Sequence, residues 1–167
     1  ELVQEIEDII PNANLIDLSS ISIDSNLVEI VDLETMYVEH AKQNFDLKSI
    51  EDSGLNLAYD AMYGSGQNAL KRLLPNMHFL HCDHNPSFRG QAPEPIAKNL
   101  KELEAFIKSN GEIDCALATD GDADRIGLYN GKGEFIDSHH IILLLIHYLA
   151  KYKGLTGKVA TAFSTTP

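Results

Sequence analysis

The sequence A-T-D-G-D-A-D-R-I-G, residues 118–127, places three aspartates at alternate positions and follows them directly with an arginine. Apolar runs flank this acidic segment, from Ile113 to Ala118 and from Ile126 to Tyr129, and each run predicts a buried strand. The acidic segment is therefore expected to form a loop that joins two core strands. Open α/β sheets place their ligands at such strand ends, so this loop is the first candidate for a binding site.

The three carboxylates of the loop, Asp120, Asp122 and Asp124, are close enough in sequence to converge on one cation. Gly121 and Ala123 are small, which leaves room for the backbone to curl and to turn all three side chains inward. Without a cation, mutual repulsion would push at least one carboxyl group toward its neutral form. Carboxylate oxygens suit a hard ion, so the sequence predicts Mg²⁺ first, with Ca²⁺ or Mn²⁺ as alternatives.

Two other structures could explain three alternating aspartates. An EF-hand calcium loop is disfavoured, because Arg125 stands at the sixth position, where glycine is required, and Gly131 at the twelfth, where a bidentate glutamate belongs. A solvated acidic turn stays open as an alternative. The two flanking apolar strands favour a binding loop over that alternative.

Several segments, in chain order, resemble the α-D-phosphohexomutases, the phosphoglucomutase and phosphomannomutase superfamily. The most specific is Asp120–Arg125, which resembles the family's metal-binding loop. The other matching segments are Asp60–Gly66, similar to its strand-to-helix turn, Asn85–Pro95, similar to its F-P-G-x-x-P-x-P loop, and Phe135–Asp137 and Val159–Thr166, which agree in type. The resemblance covers residues 37–167 and departs from the family at Arg89, where proline is common, and at His139-His140, where acidic residues are frequent.

The resemblance implies a four-domain protein, with a phosphoserine loop in the first domain, the metal loop in the second, a sugar-selecting loop in the third and a phosphate clamp in the fourth. We expect residues 1–36 to be the tail of the first domain and a linker. Residues 37–153 are expected to be the complete α/β domain that carries the metal loop, and residues 154–167 the first strand of a truncated third domain. The absence of an initial methionine also suggests a fragment.

The activity implied by the resemblance is an intramolecular phosphotransfer. Asp120, Asp122 and Asp124 would hold one Mg²⁺ per active site, and Arg125 would contact the phosphate of the substrate or of the phosphoserine. The full-length enzyme would interconvert hexose 1-phosphate and hexose 6-phosphate through a bisphosphorylated sugar, with a sugar bisphosphate as activator. The nucleophilic serine lies outside this chain, so the chain alone is expected to be inactive. Its expected partners are a phosphorylated sugar and the other domains of the same protein.

The sequence leaves open the substrate, the function of the domain and the role of Arg125. The substrate could be a phosphate of glucose, mannose, an amino or N-acetylated sugar, or a pentose, so phosphopentomutase and phosphoglucosamine mutase stay open. From a different class, the chain could be a non-catalytic domain that binds a divalent metal. Arg125 could be a structural partner of the aspartates, a planar fork that grips a phosphate, or both.

The net charge, the apolar runs and the cysteines of the chain indicate which partners and which cellular compartment to expect. The 167 residues contain 13 lysines and arginines against 25 aspartates and glutamates, a net charge of −12, which disfavours nucleic acid and anionic membranes. The apolar run Ile141–Ala150 is too short to span a bilayer and is interpreted as a core helix. Cys82 and Cys115 fall in predicted strands and are expected to be free thiols, which fits a cytoplasmic enzyme.

Periodicity predicts a three-layer α/β/α domain with a mainly parallel mixed sheet and one antiparallel strand. The expected helices carry Tyr37, Ala41 and Phe45 in the first, Gln67–Leu74 in the second, Ile96, Leu100, Leu103 and Ile107 in the third, closed by Gly111, and Ser138–Tyr152 in the last. The expected strands are Leu55–Ala61, Met77–Cys82, Ile113–Ala118 and a hairpin that turns at residues 130–133.

Other motifs fit known sites less well. Residues 64–69 match the G-x-G-x-x-A pattern of dinucleotide-binding proteins, but a tight turn that packs a helix on the sheet is the favoured interpretation. The histidines 78, 81 and 84 suggest zinc, yet the first two point to opposite faces of a strand. His140 and His147 share a helix face but lack a third ligand. Ser87 does not align with the family's serine, and residues 164–166 match its site only loosely.

Overall fold

The computed structural model describes residues 2–12, 19, 21–24 and 26–161. The chain divides into two compact units, residues 1–33 and 34–167. In the first unit, helix α1 spans Leu2–Ile9 and a single 3₁₀ turn follows at Ile10–Asn12. The second unit holds the sheet and the acidic loop. The domain boundaries expected from the sequence stay predictions.

Five strands form one mixed sheet in the order β2-β1-β3-β4-β5. The strands are β1 Leu57–Asp60, β2 His78–Leu80, β3 Cys115–Thr119, β4 Ile126–Asn130 and β5 Phe135–Ile136. β1 pairs in parallel with both β2 and β3, while β4 pairs antiparallel with β3 and with β5. Only β4 therefore runs against the other four strands, which confirms the predicted mainly parallel sheet with one antiparallel strand.

Helices of the second unit begin with α2, Leu33–Asn44, and the short α3, Leu47–Glu51, whose first turn is capped by Asp46. α4 spans Gln67–Leu73, and α5 spans Lys101–Asn110 after a 3₁₀ turn at Ala97–Asn99. Gly111 ends α5 in the left-handed conformation at φ 70°, as the sequence predicts. α6, Ser138–His147, continues into a π-helical turn at Tyr148–Tyr152, and Asp137 caps its start.

Apolar side chains cover both faces of the sheet, which confirms the three-layer architecture. On one face, α5 buries Leu103 and Ile107 against residues of β1, β3 and β4 that include Ala58, Ala116 and Tyr129. The opposite face buries Tyr59 with partly buried Leu70 of α4 and Leu117 of β3, and α4 in turn packs on α2 through Val38, Ala41, Ala69 and Leu73. The sheet is therefore fixed from both sides, and its strand ends are free to carry loops.

The buried face of α2 differs from the predicted one. Val38 is fully buried and Ala41 is nearly so, whereas Tyr37 and Phe45 are 60% and 67% exposed. The spacing of the aromatic residues predicted the wrong buried face for α2. The small residues of this helix fit against α4 more closely than aromatic rings would. In a similar way, Ile96 precedes α5 and is 39% exposed.

The prediction that residues 141–150 form a core helix is wrong. α6 forms at the expected place, but none of its residues is buried, and Leu143, Leu144 and Leu145 are each more than half exposed. Apolar composition predicted burial, but no described element of the second unit covers the helix. Among the described residues, no helix has both the length and the apolar character to cross a bilayer.

The strand expected at Val159–Thr166 lies largely outside the described residues. Residues 154–161, which are described, contain no helix or strand. The assignment of this segment to a third domain stays a prediction.

Candidate metal centre

The acidic loop joins β3 to β4, as predicted, and brings its three carboxylates together. One oxygen from each of Asp120, Asp122 and Asp124 lies within 4.8 Å of the other two. Asp120 is 1% exposed at the end of β3, and the other two are exposed to solvent. The group thus has one buried carboxylate and two exposed carboxylates. Among the described residues, no other group of three side chains is arranged to hold a metal ion.

The loop curls tightly around its small residues. Ala123 adopts a left-handed conformation at φ 62°, and its backbone N–H donates to the carbonyl of Asp120 at 3.2 Å. Gly121 sits against Pro93 and Phe88, where an added Cβ would approach the proline ring to 3.2 Å. Small side chains at these two positions therefore permit the curl, as the sequence predicts.

The glycine-rich turn after β1, residues 64–66, packs against the backbone of the acidic loop. A Cβ on Gly64 would lie 2.5 Å from the carbonyl oxygen of Asp120 and 2.9 Å from that of Gly121. The backbone N–H of Ser65 donates to the carbonyl of Gly121 at 3.0 Å, and a Cβ on Gly66 would collide with the hydroxyl of Tyr59. These contacts explain both glycines of the dinucleotide-like pattern as residues that allow close packing.

Arg125 is tied to the buried aspartate through two hydrogen bonds. Its Nε donates to Oδ2 of Asp120 at 2.6 Å, and its backbone N–H donates to Oδ1 at 3.0 Å. The side chain is 58% exposed, with Nη1 3.6 Å from Oε1 of Glu94 and Nε 3.8 Å from Oδ1 of Asp124. The structural role of Arg125 is thus established, because its side chain is held beside Asp120, with one terminal nitrogen near Glu94. Its contact with a phosphate stays a prediction.

The pKa values of Asp120 and Asp124 shift in opposite directions. Burial alone would raise the pKa of Asp120, but the backbone and side-chain hydrogen bonds from Arg125 outweigh it and lower that pKa. The pKa of Asp124 is raised, first by the charge of Asp122 and then by that of Asp120. Repulsion from the two neighbouring carboxylates is therefore the main cause of the raised pKa of Asp124.

The histidines considered for zinc do not converge. His78 is exposed beside the ring of Phe106, and His84 is exposed in the loop after β2. His140 donates its backbone N–H to Asp137 at 3.0 Å, and its Nδ1 also lies within hydrogen-bond distance of the same carboxylate. Residues 164–166 lie outside the described part. Cys82 and Cys115 are partly buried free thiols whose pKa values are raised, first of all by burial.

A second polar group at the strand ends was not predicted from the sequence. Asp60, 1% exposed at the end of β1, contacts Nδ1 of His81 through both carboxylate oxygens at 2.9 Å, and Glu102 contacts Nε2 at 3.0 Å. The hydrogen bond to Asp60 is the main cause that raises the pKa of His81. No local sequence signal marks this group, because the contact depends on the parallel pairing of β1 and β2, in which Asp60 pairs with Leu80, the residue before His81.

A family model for the phosphoglucomutase/phosphomannomutase alpha/beta/alpha domain II matches residues 35–133. The chain belongs to the phosphoglucomutase/phosphomannomutase superfamily. The matched residues include the whole acidic loop and the glycine-rich turn beneath it, and they stop before α6, whose side chains are not buried.

Relatives in this superfamily carry several mutase names. A Methanopyrus kandleri protein assigned as a phosphoglucosamine mutase is 30% identical over 79% of this chain, and a phosphopentomutase of Thermococcus kodakarensis is 31% identical over 68%. A solved structure from Thermus thermophilus, assigned as a phosphomannomutase, superposes with a TM-score of 0.67 at 33% identity and covers 74% of this chain. The superfamily and its fold are therefore shown, and the named relatives are mutases.

The chain spans only part of the length of these relatives. It covers 30% of the Methanopyrus kandleri protein, 26% of the phosphopentomutase and 30% of the Thermus thermophilus structure. Superfamily membership therefore applies to this domain. The activity, substrates and partners of the whole protein are matters for proposal.

Proposed function

We propose that this chain is the metal-binding part of a phosphohexomutase, which interconverts hexose 1-phosphate and hexose 6-phosphate through a phosphoserine and a bisphosphorylated sugar. The observation that carries the proposal is the convergence of Asp120, Asp122 and Asp124, whose oxygens lie within 4.8 Å of one another beside Arg125. This donor set consists of hard oxygens, as Mg²⁺ prefers. The raised pKa of Asp124 also fits a cluster that a cation would stabilise.

The carboxylates would hold one Mg²⁺ per active site. A bound Mg²⁺ would supply Lewis-acid chemistry, because it withdraws charge from phosphate oxygens. Asp120 contributes rigidity, since its buried carboxylate is fixed by two hydrogen bonds from Arg125. Asp122 and Asp124 are exposed and leave the outer side of the site open to a phosphorylated group.

Arg125 is proposed to position a phosphate and to offset negative charge during phosphoryl transfer. Its Nε is occupied by Asp120, whereas its terminal nitrogens form no hydrogen bond with a described residue and the side chain is 58% exposed. A guanidinium held by one edge presents its other N–H groups in a fixed direction, which suits two-point binding of a phosphate. In this proposal, Arg125 both holds Asp120 in place and binds the phosphate.

The substrate within the superfamily stays open in this proposal. The named relatives include proteins assigned as a phosphoglucosamine mutase and a phosphomannomutase, and one named phosphopentomutase. The phosphorylated sugar, a sugar bisphosphate activator, the other domains of the protein and a cytoplasmic location are further parts of the proposal. The nucleophilic serine is assigned to another part of the protein, so the chain alone should be inactive.

A coupled mutase assay on the full-length protein tests the proposal. Glucose 1-phosphate, mannose 1-phosphate, glucosamine 1-phosphate and ribose 1-phosphate would each be supplied with a trace of the corresponding bisphosphate, with Mg²⁺ and then with a chelator. We expect Mg²⁺-dependent turnover of at least one of them. If the protein carries a phosphorylated serine and turns over none of the four, the non-catalytic metal-binding alternative is favoured instead.

Paired variants show whether this loop provides the metal dependence. Asp122→Asn should weaken Mg²⁺ binding and lower the rate with little change in fold, because its side chain is exposed. Asp52→Asn is the matched control, since Asp52 is an exposed aspartate that pairs with Lys48. Unchanged activity of Asp122→Asn at limiting Mg²⁺ would exclude the proposed role of the loop.

A further inference from the structure

A cavity of about 330 Å³ lies at the carboxyl ends of β1 and β2 and is distinct from the acidic triad. We call it the strand-end cavity. It is lined by the ends of these strands, by the loop after β2 and by the start of α5, and none of Asp120, Asp122 or Asp124 lines it. Ligands of open α/β sheets bind at this end of parallel strands. Its volume is at the lower end of the range typical of small-molecule sites.

Three cationic side chains line the strand-end cavity, although the chain as a whole is acidic. Arg89, Lys98 and Lys101 line it, and none of the three forms an ion pair with a carboxylate among the described residues. The two carboxylates in the lining, Asp60 and Glu102, both bind His81. Three unpaired positive charges around one concave space favour an anionic ligand.

Tyr63 adds a hydrogen-bonding group without a protein partner. Its hydroxyl oxygen is buried and has no hydrogen-bond partner among the described residues. The guanidinium of Arg89 lies 5.2 Å from the centre of its ring, and the ring of His81 lies 4.9 Å away on centre. A buried hydroxyl with no partner costs free energy unless a ligand or water satisfies it.

The backbone around the strand-end cavity is strained. Six non-glycine residues of the described chain have positive φ, and five of them line this cavity: Met62, Tyr63, His81, Phe88 and Arg89, with φ between 46° and 62°. Such conformations are unfavourable for residues that carry a side chain, and they concentrate at ligand-binding sites. The strain is therefore localised in residues that line this cavity.

We propose that the strand-end cavity binds a small phosphate monoester. The dianionic phosphate would be held between Arg89, Lys98 and Lys101, with Arg89 able to donate two parallel hydrogen bonds and Tyr63 able to donate one through its hydroxyl. Carboxylates carry one charge and fewer acceptor oxygens, so three separated cations match a phosphate better. Phe88 and Pro93 line the cavity and also contact the position of Gly121, so an occupant would stabilise the loop against which the metal site packs.

Lysine footprinting of the full-length protein by mass spectrometry tests this proposal at the site itself. An amine-selective reagent would be applied in the presence of a chelator, with and without sn-glycerol 3-phosphate as the probe. At about ten times its Kd, the probe should slow modification of Lys98 and Lys101 by about tenfold. Lys42 and Lys48 are internal controls, because they lie on α2 and α3 and pair with Glu39 and Asp52.

Variants separate ligand binding from general effects. Arg89→Ala and Tyr63→Phe should each reduce the protection, and the second variant removes only a hydroxyl that no described residue binds. Asp122→Asn should keep it, which distinguishes this cavity from the metal loop and makes the result independent of the proposed mutase activity. The proposal is overturned if the probe gives no protection, if Asp122→Asn abolishes it, if Lys42 is protected equally, or if succinate protects as well as the phosphate.

Discussion

Two hydrogen bonds join Arg125 to the carboxylate of Asp120, one from the side chain and one from the backbone. Nε donates to Oδ2 at 2.6 Å, and the backbone N–H donates to Oδ1 at 3.0 Å. The carboxylate is therefore held in one orientation at the end of β3. Because Asp120 is 1% exposed, water cannot replace these hydrogen bonds easily. One residue thus fixes the buried member of the acidic triad, although its own side chain is 58% exposed.

Replacement of Arg125 tests the functional part of this pairing. If the full-length protein has the proposed mutase activity, Arg125→Ala should lower its kcat by about 10²–10³-fold, because a preorganised charge beside the transferred phosphate is lost. Arg125→Lys should recover only part of the rate, since an ammonium cannot bind Asp120 and a phosphate in the planar manner of a guanidinium. Steady-state kinetics measures both variants. Full activity of Arg125→Ala would leave Arg125 with a structural role only.

Substitution of Gly64 tests the support of the acidic loop. An alanine Cβ would lie 2.5 Å from the carbonyl oxygen of Asp120, and this neighbour is backbone, so the loop must shift. Gly64→Ala should lower the free energy of unfolding by about 1–3 kcal/mol and weaken metal binding. Urea unfolding and metal titration measure the two effects. Ser65→Ala, at an exposed neighbouring position, is the control and should change neither; equal effects of the two variants would refute the proposed close packing.

Adjacent residues of α2 test which face of this helix is buried. Val38→Ala should destabilise the protein by about 2 kcal/mol, because Val38 is fully buried against α4. Tyr37→Ala should change the free energy of unfolding by less than about 0.5 kcal/mol, because Tyr37 is 60% exposed. Denaturant unfolding compares them. The opposite order would support the aromatic face expected from the sequence.

Protonation of His81 predicts a pH dependence of stability. Its pKa in the folded protein is raised, chiefly by the hydrogen bond to Asp60, above the value of about 6.5 expected in the unfolded chain. The resulting stabilisation is fully present below the unfolded pKa and is lost as the pH rises through the folded pKa. At pH 6, wild type should be more stable than His81→Gln by about 1–2 kcal/mol, and the difference should shrink at higher pH. Urea unfolding over a pH series measures this, and a constant difference would contradict it.

Much of the fold was predictable because local signals agree with the tertiary structure. The apolar run before Asp120 became β3, the turn at residues 130–133 became the β4–β5 connection, and Gly111 ended α5. The same applies to the carboxylate triad, whose spacing in sequence is enough to bring its oxygens together. These features depend on residues close to one another in the chain.

Features that depend on distant contacts were not predictable in the same way. The apolar composition of α6 indicated burial, but burial requires a covering surface, and the described residues of the second unit do not provide one. The hydrogen bonds of His81 to Asp60 and Glu102 span 21 residues in each direction. The strand-end cavity combines two strand ends, a long loop and a helix start, so no single segment carries its signal.

Titration of the full-length protein with Mn²⁺, followed by the EPR signal of the free ion, tests the assignment of the acidic triad most directly. We predict one tightly bound ion per active site in wild type, at least about tenfold weaker binding in Asp122→Asn, and unchanged binding in Asp52→Asn. Equal Mn²⁺ affinity in wild type and Asp122→Asn would contradict the proposal that Asp120, Asp122 and Asp124 form the metal site of this superfamily member.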